Sequence, residues 1–286
     1  MTQTQQQGFS LVSGLAAELT RGELHLPSLP EAVLRIRNAL AKPDFTVDEL
    51  ARVITTEPAL VGTILTMANS VAFRRSGNET TDLKIAVSRI GAGMVQTAAT
   101  TFALRQLRDS AEFQSVEHLL APEWKRASQA AAACYLVAQV SRRVKPDEAL
   151  IVGLIHNIGR IYLLSRSPKY PELFESAENV QSLLSSWHAS VGKAIVEHWH
   201  LPEETAIAVE RQDQICEEPE CPHMVVVLTA GLAIAALGEQ PTEEEIGGLA
   251  ERADFGRLKL TSETIIEING ERENVRQQLG LTSTPR

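Results

Sequence analysis

Apolar side chains recur along nearly the whole chain at the three- and four-residue spacing of amphipathic helices. In an early example, Val33, Leu34, Ile36 and Leu40 form one apolar stripe among charged residues. No segment shows the alternation that is typical of a half-buried strand. The short run 224–228 is ambiguous by periodicity, but its alanine-rich continuation favours a helix. The pattern therefore predicts an all-α fold.

Capping residues and prolines mark the helix starts in the first half of the chain. Ser28–Glu31 and Thr46–Glu49 have the spacing of capping boxes, in which a hydroxyl and a glutamate side chain satisfy free backbone N–H groups. Glu57-Pro58 predicts a third helix, because proline is favoured in a first turn. Asp82 is the predicted N-cap of a fourth helix, which Gly91 ends.

The second half is predicted to begin with a joint at residues 108–122, closed by Pro122. A long alanine-rich helix follows from about residue 123 to 144, and Lys145-Pro146 breaks it. Asp147 is expected to cap the next helix, which leads into His156-Asn157. Further helices are predicted at about 94–107 before the joint and, after it, at 180–198, from 203 and at 262–279.

Composition and charge narrow the class of protein. With 286 residues, of which 44% are hydrophobic, the chain can bury a proper core in one large domain or two small ones. Its net charge of -9 disfavours nucleic-acid binding, which depends on Lys and Arg neutralising phosphates. No apolar run approaches the ~20 residues that span a bilayer. Three cysteines, Cys134, Cys216 and Cys221, are too few for a disulfide framework. We therefore expect a cytoplasmic protein without membrane association.

One motif carries most of the information about function. Gly153-Leu154-Ile155-His156-Asn157-Ile158-Gly159-Arg160 resembles the Gly-Leu-Leu-His-Asp-Ile-Gly-Lys signature of the HD superfamily. In HD enzymes the aspartate is the carboxylate that two metal ions share. This chain has Asn157 at that position, and an uncharged amide bridges two divalent cations poorly. The motif therefore indicates the HD fold and argues against its usual chemistry.

Further elements, in matching order and spacing, resemble the HDOD family, the HD-related output domain of bacterial signalling proteins. They are Leu26–Pro30 ("L-P-x-L-P"), Glu57–Leu60 ("D-P-A-L"), Ala68–Ser70 ("A-N-S"), Ile85–Gly91 ("A-I-x-x-L-G") and Val191–Pro202 ("V-G … W-x-L-P"). The resemblance implies two helical lobes, an N-terminal bundle and an HD-like C-terminal lobe. The expected division is a tail at 1–23, the HDOD domain at 24–215 with lobes at about 24–115 and 120–215, and an acidic loop with C-terminal helices at 216–286. No receiver, kinase or cyclase segment is expected, because the match begins near residue 24.

The resemblance also locates the usual metal ligands of HD enzymes. The first histidine corresponds to Arg126, a cation that would repel a metal ion. Two later histidines fall near Gln212-Asp213 and a last aspartate near Thr229-Ala230, so only His156 remains. One imidazole cannot hold a catalytic metal, since three protein ligands are the usual minimum. We therefore predict no catalytic residue, no bound metal and no cofactor.

Two interpretations of this vestigial pocket stay open. In the first, His156 is a buried histidine whose partner is a backbone group or Asn157. In the second, Arg126, His156 and Arg160, with Asn157 beside them, converge on an anionic small molecule such as a nucleotide, because arginine offers paired donors to phosphate. The second interpretation requires the side chains to face one cavity.

Two other groups of residues are weaker candidates. Cys216, Cys221 and His223 lack the tight spacing of zinc ribbons and an obvious fourth ligand, so a flexible acidic loop is favoured over a metal clip. In His198-Trp199-His200 the tryptophan matches a core aromatic of the family, and both histidines are expected to face solvent.

Three functional hypotheses follow from the resemblance. The favoured one is a non-catalytic bacterial regulatory protein that binds a signalling protein. The second is a nucleotide receptor that uses the vestigial pocket, with cyclic dinucleotides as the natural guess. The third is a divergent metal-dependent phosphohydrolase. The partner and the oligomeric state are left open.

Overall fold

A computed structural model describes residue 14 and residues 31–42, 44–74 and 78–281 of the chain. Within these ranges every regular element is a helix and no strand occurs, which confirms the all-α prediction. The predicted tail at 1–23 lies outside the described residues apart from residue 14, and so does Ser28 of the first capping box.

The N-terminal lobe is a bundle of helices whose starts follow the sequence signals. Thr46 accepts a hydrogen bond from the Glu49 backbone N–H, and Asp82 caps the following long helix. Gly91 interrupts that helix with a φ of +80°, a conformation that glycine adopts without strain, so the predicted break is confirmed although the helix resumes at once. The helices are α1 Glu31–Leu40, α2 Val47–Ile54, α3 Pro58–Asn69, α4 Val71–Arg74, α5 Leu83–Arg108 and α6 Ala111–Gln114.

The "A-N-S" element has a structural role in this lobe. The Asn69 side chain donates to the Thr80 carbonyl and accepts from the Thr80 N–H, both at 2.9 Å. Arg89 on α5 donates to the backbone carbonyls of Ala68 and Asn78 at 3.1 and 3.0 Å. These bonds join the end of α3 to the segment that leads into α5.

The C-terminal lobe is built around one long alanine-rich helix, α7 (Glu117–Ser141). Three helices pack against it: α8 (Pro146–Ile155), α12 (His223–Ala236) and α15 (Ser262–Gln278). Ala130 to Ala133 are fully buried, and their small side chains let neighbouring helices approach closely. The remaining helices are α9 Ile158–Ser165, α10 Ala177–His198, α11 Glu203–Glu210, α13 Glu243–Ala250 and α14 Ala253–Leu258, with 3-10 turns at Ser167–Lys169 and Pro171–Phe174.

Two hydrophobic cores meet along α7. The first core joins the N-terminal lobe to α8, α9 and α10, and it includes Ala127 and Ala131. The second core lies between α7 and the C-terminal helices, and it includes Ala133 and Cys134. Two arginines bridge distant parts of the chain: Arg37 donates to the Trp199 carbonyl at the end of α10, and Arg105 donates to the Gly280 carbonyl.

The segment Pro146–Lys169 is long and apolar enough to cross a membrane, contrary to the expectation that no apolar run approaches that length. It consists of α8, a turn at His156-Asn157, α9, Arg166 and the 3-10 turn Ser167–Lys169. Because 89% of its apolar window is buried inside the fold, its apolar character is explained by packing in the core.

Two predicted boundaries are wrong. Pro122 does not close the joint, because α7 already begins at Glu117 and accommodates the proline near its start. Asp147 does not cap α8: Lys145 is the N-cap residue, Pro146 occupies the first turn, and no side chain caps the helix. The Asp147 carboxylate instead lies against Gly93 of α5, so closely that a Cβ added to the glycine would come within 1.6 Å of Asp147 Oδ2.

Candidate functional site

A cleft of about 580 Å³ opens in the C-terminal lobe where α7, the α8–α9 turn, α10, the end of α11 and α12 meet. Its size lies in the range of small-molecule sites. One wall is apolar and the others are polar. The lining residues are Pro122, Lys125, Arg126, Gln129, His156, Arg160, His188, Gln212, Asp213, Leu232, Ala235 and Ala236.

Two glycines of the HD-like motif permit the close packing that shapes this cleft. A Cβ on Gly153 would lie 2.8 Å from the Ala130 carbonyl oxygen of α7. A Cβ on Gly159 would lie 2.0 Å from the His188 carbonyl oxygen of α10. Neither neighbour is a flexible side-chain end, so larger residues would push the helices apart.

His156 is a buried, neutral histidine with one ring nitrogen already used. It is 3% exposed, and its Nδ1 lies 2.7 Å from the Gly153 carbonyl oxygen. A carbonyl accepts only, so Nδ1 carries the proton and Nε2 is left as an acceptor. Burial lowers the pKa of His156 to about 4, so the ring stays uncharged near neutral pH. Gln212 fixes the same turn by donating to the His156 carbonyl at 2.8 Å.

Asn157 lies beneath the cleft and holds a buried carboxylate. Its Nδ2 donates to the backbone carbonyl of Glu123 at 2.8 Å and to Glu123 Oε2 at 3.1 Å. Arg160 Nε donates to the other carboxylate oxygen, Oε1, at 3.1 Å. Both carboxylate oxygens of Glu123, a residue only 5% exposed, are therefore satisfied by this chain's own amide and guanidinium groups.

Cations concentrate on the α7 side of the cleft. Arg126 Nη1 lies 3.9 Å from Glu123 Oε1, and the Arg126 side chain is 54% exposed. Lys125 precedes it, is exposed, and forms no ion pair with another described residue. Together with Arg160 they form a positively charged margin in a chain whose net charge is -9.

His188 and Asp213 form a pair on the opposite side. His188 Nδ1 lies 2.6 Å from the Leu184 carbonyl oxygen, and Nε2 lies 3.0 Å from Asp213 Oδ2. Both ring nitrogens of His188 therefore have oxygen partners within the described part of the chain. The hydrogen bond with His188 holds the pKa of the Asp213 carboxyl below its usual range.

The structure brings together three of the four residues predicted for the vestigial pocket. Arg126, His156 and Arg160 face one cleft, while Asn157 is fully buried below it. The sequence analysis did not identify Glu123, because its burial depends on contacts with Asn157 and Arg160, which lie far along the chain. It also missed His188 as a partner of the site.

The other candidate residues lie elsewhere. Cys216 and Cys221 form a disulfide, so the metal clip is not formed. Their loop is anchored, contrary to the flexible loop expected, because Arg257 donates to the carbonyls of Glu218, Pro219 and Cys221.

Two further sequence expectations have a clear outcome. Trp199 is buried, whereas His198 and His200 are exposed as predicted. Thr229, near the position that the resemblance assigned to the last aspartate of HD enzymes, donates to the buried Asp254 carboxylate at 3.0 Å. Arg252 pairs with that same carboxylate.

The family model of the HDOD domain matches residues 26–215, about two thirds of the chain. The chain belongs to the HDOD family. A protein of Treponema pallidum (strain Nichols), named only as uncharacterized, is 25% identical over 250 residues. That match covers 80% of this chain but only 46% of the relative, so the chain spans about half the length of that curated protein.

Solved structures share the fold of this HDOD chain. A "Putative metal-dependent phosphohydrolase" from Shewanella amazonensis SB2B is 24% identical with a TM-score of 0.70, over 92% of this chain and 99% of the other. An HDOD domain protein of unknown function from Geobacter sulfurreducens is 20% identical with a TM-score of 0.68, over 93% and 96%. At these identities the likeness establishes the fold alone.

The residues of the cleft do not fit the paired metal ions of HD enzymes. Among the described residues, no three His, Cys, Asp or Glu side chains come together as a set that could hold a metal ion. Glu123 is engaged by Asn157 and Arg160, and Arg126 adds positive charge at the same carboxylate. A divalent cation would have to displace or approach these guanidinium groups, which is electrostatically unfavourable.

Proposed function

We propose that this HDOD chain is a non-catalytic regulatory protein of bacterial signal transduction that acts by binding another molecule. Membership of a family that resembles signalling output domains supports the regulatory part. The burial of the apolar segment Pro146–Lys169 inside the fold supports a chain without a membrane span, and the cytoplasmic setting expected from the sequence stays part of the proposal.

One observation carries the non-catalytic part of the proposal. Metal-assisted hydrolysis needs anionic or imidazole ligands arranged around an open coordination position. In this chain the amide of Asn157 and the guanidinium of Arg160 occupy both oxygens of Glu123, a buried carboxylate beside the motif. The polar groups that would have to serve a metal serve each other instead.

Two kinds of bound molecule are candidates. A signalling protein is the favoured partner, because the family resemblance implies an adaptor role. A nucleotide is the second candidate, and the three cations that line the cleft favour it, since arginine and lysine are the usual partners of phosphate.

Metal analysis and a phosphatase assay test the proposal. The full chain is purified without chelator, its metal content is measured, and hydrolysis of p-nitrophenyl phosphate is followed with added Mn²⁺, Mg²⁺ or Zn²⁺. We expect far less than one transition ion per chain and no turnover above a heat-denatured sample. Stoichiometric metal with turnover that His156→Ala abolishes would establish the third hypothesis, a divergent phosphohydrolase, and overturn the proposal.

A further inference from the structure

The charge of the cleft is opposite to that of the whole chain. Lys125, Arg126 and Arg160 contribute three positive charges, and Glu123 neutralises one of them through Arg160. The Asp213 carboxylate, 3.0 Å from His188 Nε2, lies outside this cationic margin. About two positive charges therefore remain on the cationic margin formed by Lys125, Arg126 and Arg160, in a chain with a net charge of -9.

The two arginines retain donors for a ligand. Arg160 uses Nε for Glu123, and its two terminal nitrogens make no hydrogen bond to the residues that the structure describes. Arg126 approaches Glu123 only at 3.9 Å, and more than half of its side chain is exposed. Arginine terminal nitrogens can bind two oxygens of one phosphate at once.

His156 adds a feature that simple anion attraction does not require. Its ring is buried by the fold yet lines the cleft, and Nδ1 is fixed as the donor to Gly153. Nε2 is then an acceptor with no hydrogen-bond partner among the described residues. A bare phosphate dianion offers it no proton, so the complementary group is an N–H or O–H of the ligand's organic part.

We propose that the cleft binds a phosphate monoester whose organic part donates a hydrogen bond to His156 Nε2. The phosphate lies against Arg126, Arg160 and Lys125, and the organic part packs on the apolar wall of Leu232, Ala235 and Ala236. The two remaining positive charges match a dianionic monoester better than a singly charged diester. This inference rests on the proposed function, because a hydrolytic site would consume such a ligand.

Calorimetric titration of the full chain tests the ligand class. The probes are adenosine 5′-monophosphate and guanosine 5′-monophosphate as monoesters, cyclic 3′,5′-adenosine monophosphate as the singly charged diester, and adenosine without phosphate. We expect saturable binding of at least one monophosphate, at least tenfold weaker binding of the diester, and no binding of adenosine. Equal affinity for monoester and diester would overturn the assignment.

Matched variants test the residues. Arg126→Gln is expected to weaken monophosphate binding tenfold or more, whereas Arg143→Gln, an identical charge change on the exposed turn after α7, leaves the affinity within about twofold. His156→Phe is expected to weaken the nucleotides but not inorganic phosphate. Equal effects of the two arginine variants would refute the site, and this comparison does not depend on the folding of the buried-histidine variant.

The two proposals fail in distinguishable ways. If no monophosphate binds at millimolar concentration and none is hydrolysed, the ligand assignment is wrong and the non-catalytic function stands. If the chain releases inorganic phosphate from the bound monoester, the non-catalytic function itself is wrong.

Discussion

Asn157→Asp restores the aspartate of the HD signature and provides the most direct test of the arrangement around Glu123. The substitution replaces the Nδ2 amide group with an oxygen. That oxygen would face two acceptors, the Glu123 carbonyl at 2.8 Å and Glu123 Oε2 at 3.1 Å. Two donated hydrogen bonds are lost, and two carboxylates meet at a site where Asn157 is fully buried.

The cost depends on pH, because the new carboxyl can escape repulsion by keeping its proton. Two ionised groups about 3 Å apart repel by roughly 5 kcal/mol at an effective dielectric constant of about 20. Keeping the proton instead costs about 1.4 kcal/mol per pH unit above the unfolded pKa of about 3.9. That is roughly 5 to 6 kcal/mol at about pH 8 and roughly 2 kcal/mol at about pH 5.5. The protonated form of the new aspartate also regains a donor to Glu123.

The sign follows from linkage. The pKa of the introduced carboxyl is raised in the folded state above its unfolded value, so the folded state binds the extra proton and the variant gains stability as pH falls. Urea denaturation at the two pH values should therefore show a deficit relative to wild type that is about 3 kcal/mol larger at the higher pH.

A double-mutant cycle with Glu123→Gln supplies the control, because the glutamine amide can donate to the new aspartate and the second negative charge is removed. In that background we expect the deficit caused by Asn157→Asp to be small and nearly independent of pH. A deficit that is equal at both pH values, or unchanged by Glu123→Gln, would refute the role assigned to Asn157.

Three further predictions concern packing, cross-linking and protonation. Gly159→Ala places a Cβ 2.0 Å from the His188 carbonyl oxygen and should lower the free energy of unfolding, measured by calorimetry, by about 3 kcal/mol. The control Gly270→Ala has open space around the new Cβ and should raise the free energy of unfolding by up to about 1 kcal/mol. The Cys216–Cys221 disulfide closes only a small loop, so its reduction should lower the free energy of unfolding by only about 2 kcal/mol. Urea midpoints with and without dithiothreitol measure this difference, and global unfolding on reduction would contradict the prediction. Burial lowers the pKa of His156 to about 4, so as pH falls the unfolded state binds a proton at a higher pH than the folded state does. About 3 kcal/mol of the free energy of unfolding should therefore be lost between about pH 6.5 and 4. An imidazole NMR resonance of His156 that titrates near 6.5 would disprove this prediction.

Local signals in the sequence were sufficient for most helices of the described chain. Thr46 and Asp82 cap helices as predicted, because a capping bond forms between residues only two or three positions apart. The helix boundaries predicted from Pro122 and Asp147 were wrong. Pro122 is the sixth residue of α7, where it removes one backbone hydrogen bond without ending the helix. The surroundings of Asp147 are decided by Gly93 on a different helix.

The residues of the candidate site likewise fall into those that a local motif marks and those whose role depends on distant contacts. The motif marks His156, Asn157 and Arg160, which lie within about one turn of chain. Glu123 looks like an ordinary charged residue of an amphipathic helix, and its burial depends on contacts with Asn157, 34 positions away. The asparagine itself was the available signal, because a buried amide needs acceptors for its two protons. The Cys216–Cys221 bond depends on the loop geometry, which two cysteines in an acidic segment do not reveal.

Glu123, Asn157 and Arg160 act as one electrostatic unit, and this constrains what the cleft can bind. An aspartate in place of Asn157 would repel Glu123 and would need a cation between the two carboxylates. With the asparagine present, the Arg160 guanidinium supplies the single positive charge that Glu123 requires. Within the described part of the chain, no second buried carboxylate neutralises the positive charge of Arg126. A site organised in this way attracts anions, so the asparagine at position 157 and the cationic margin are parts of the same arrangement.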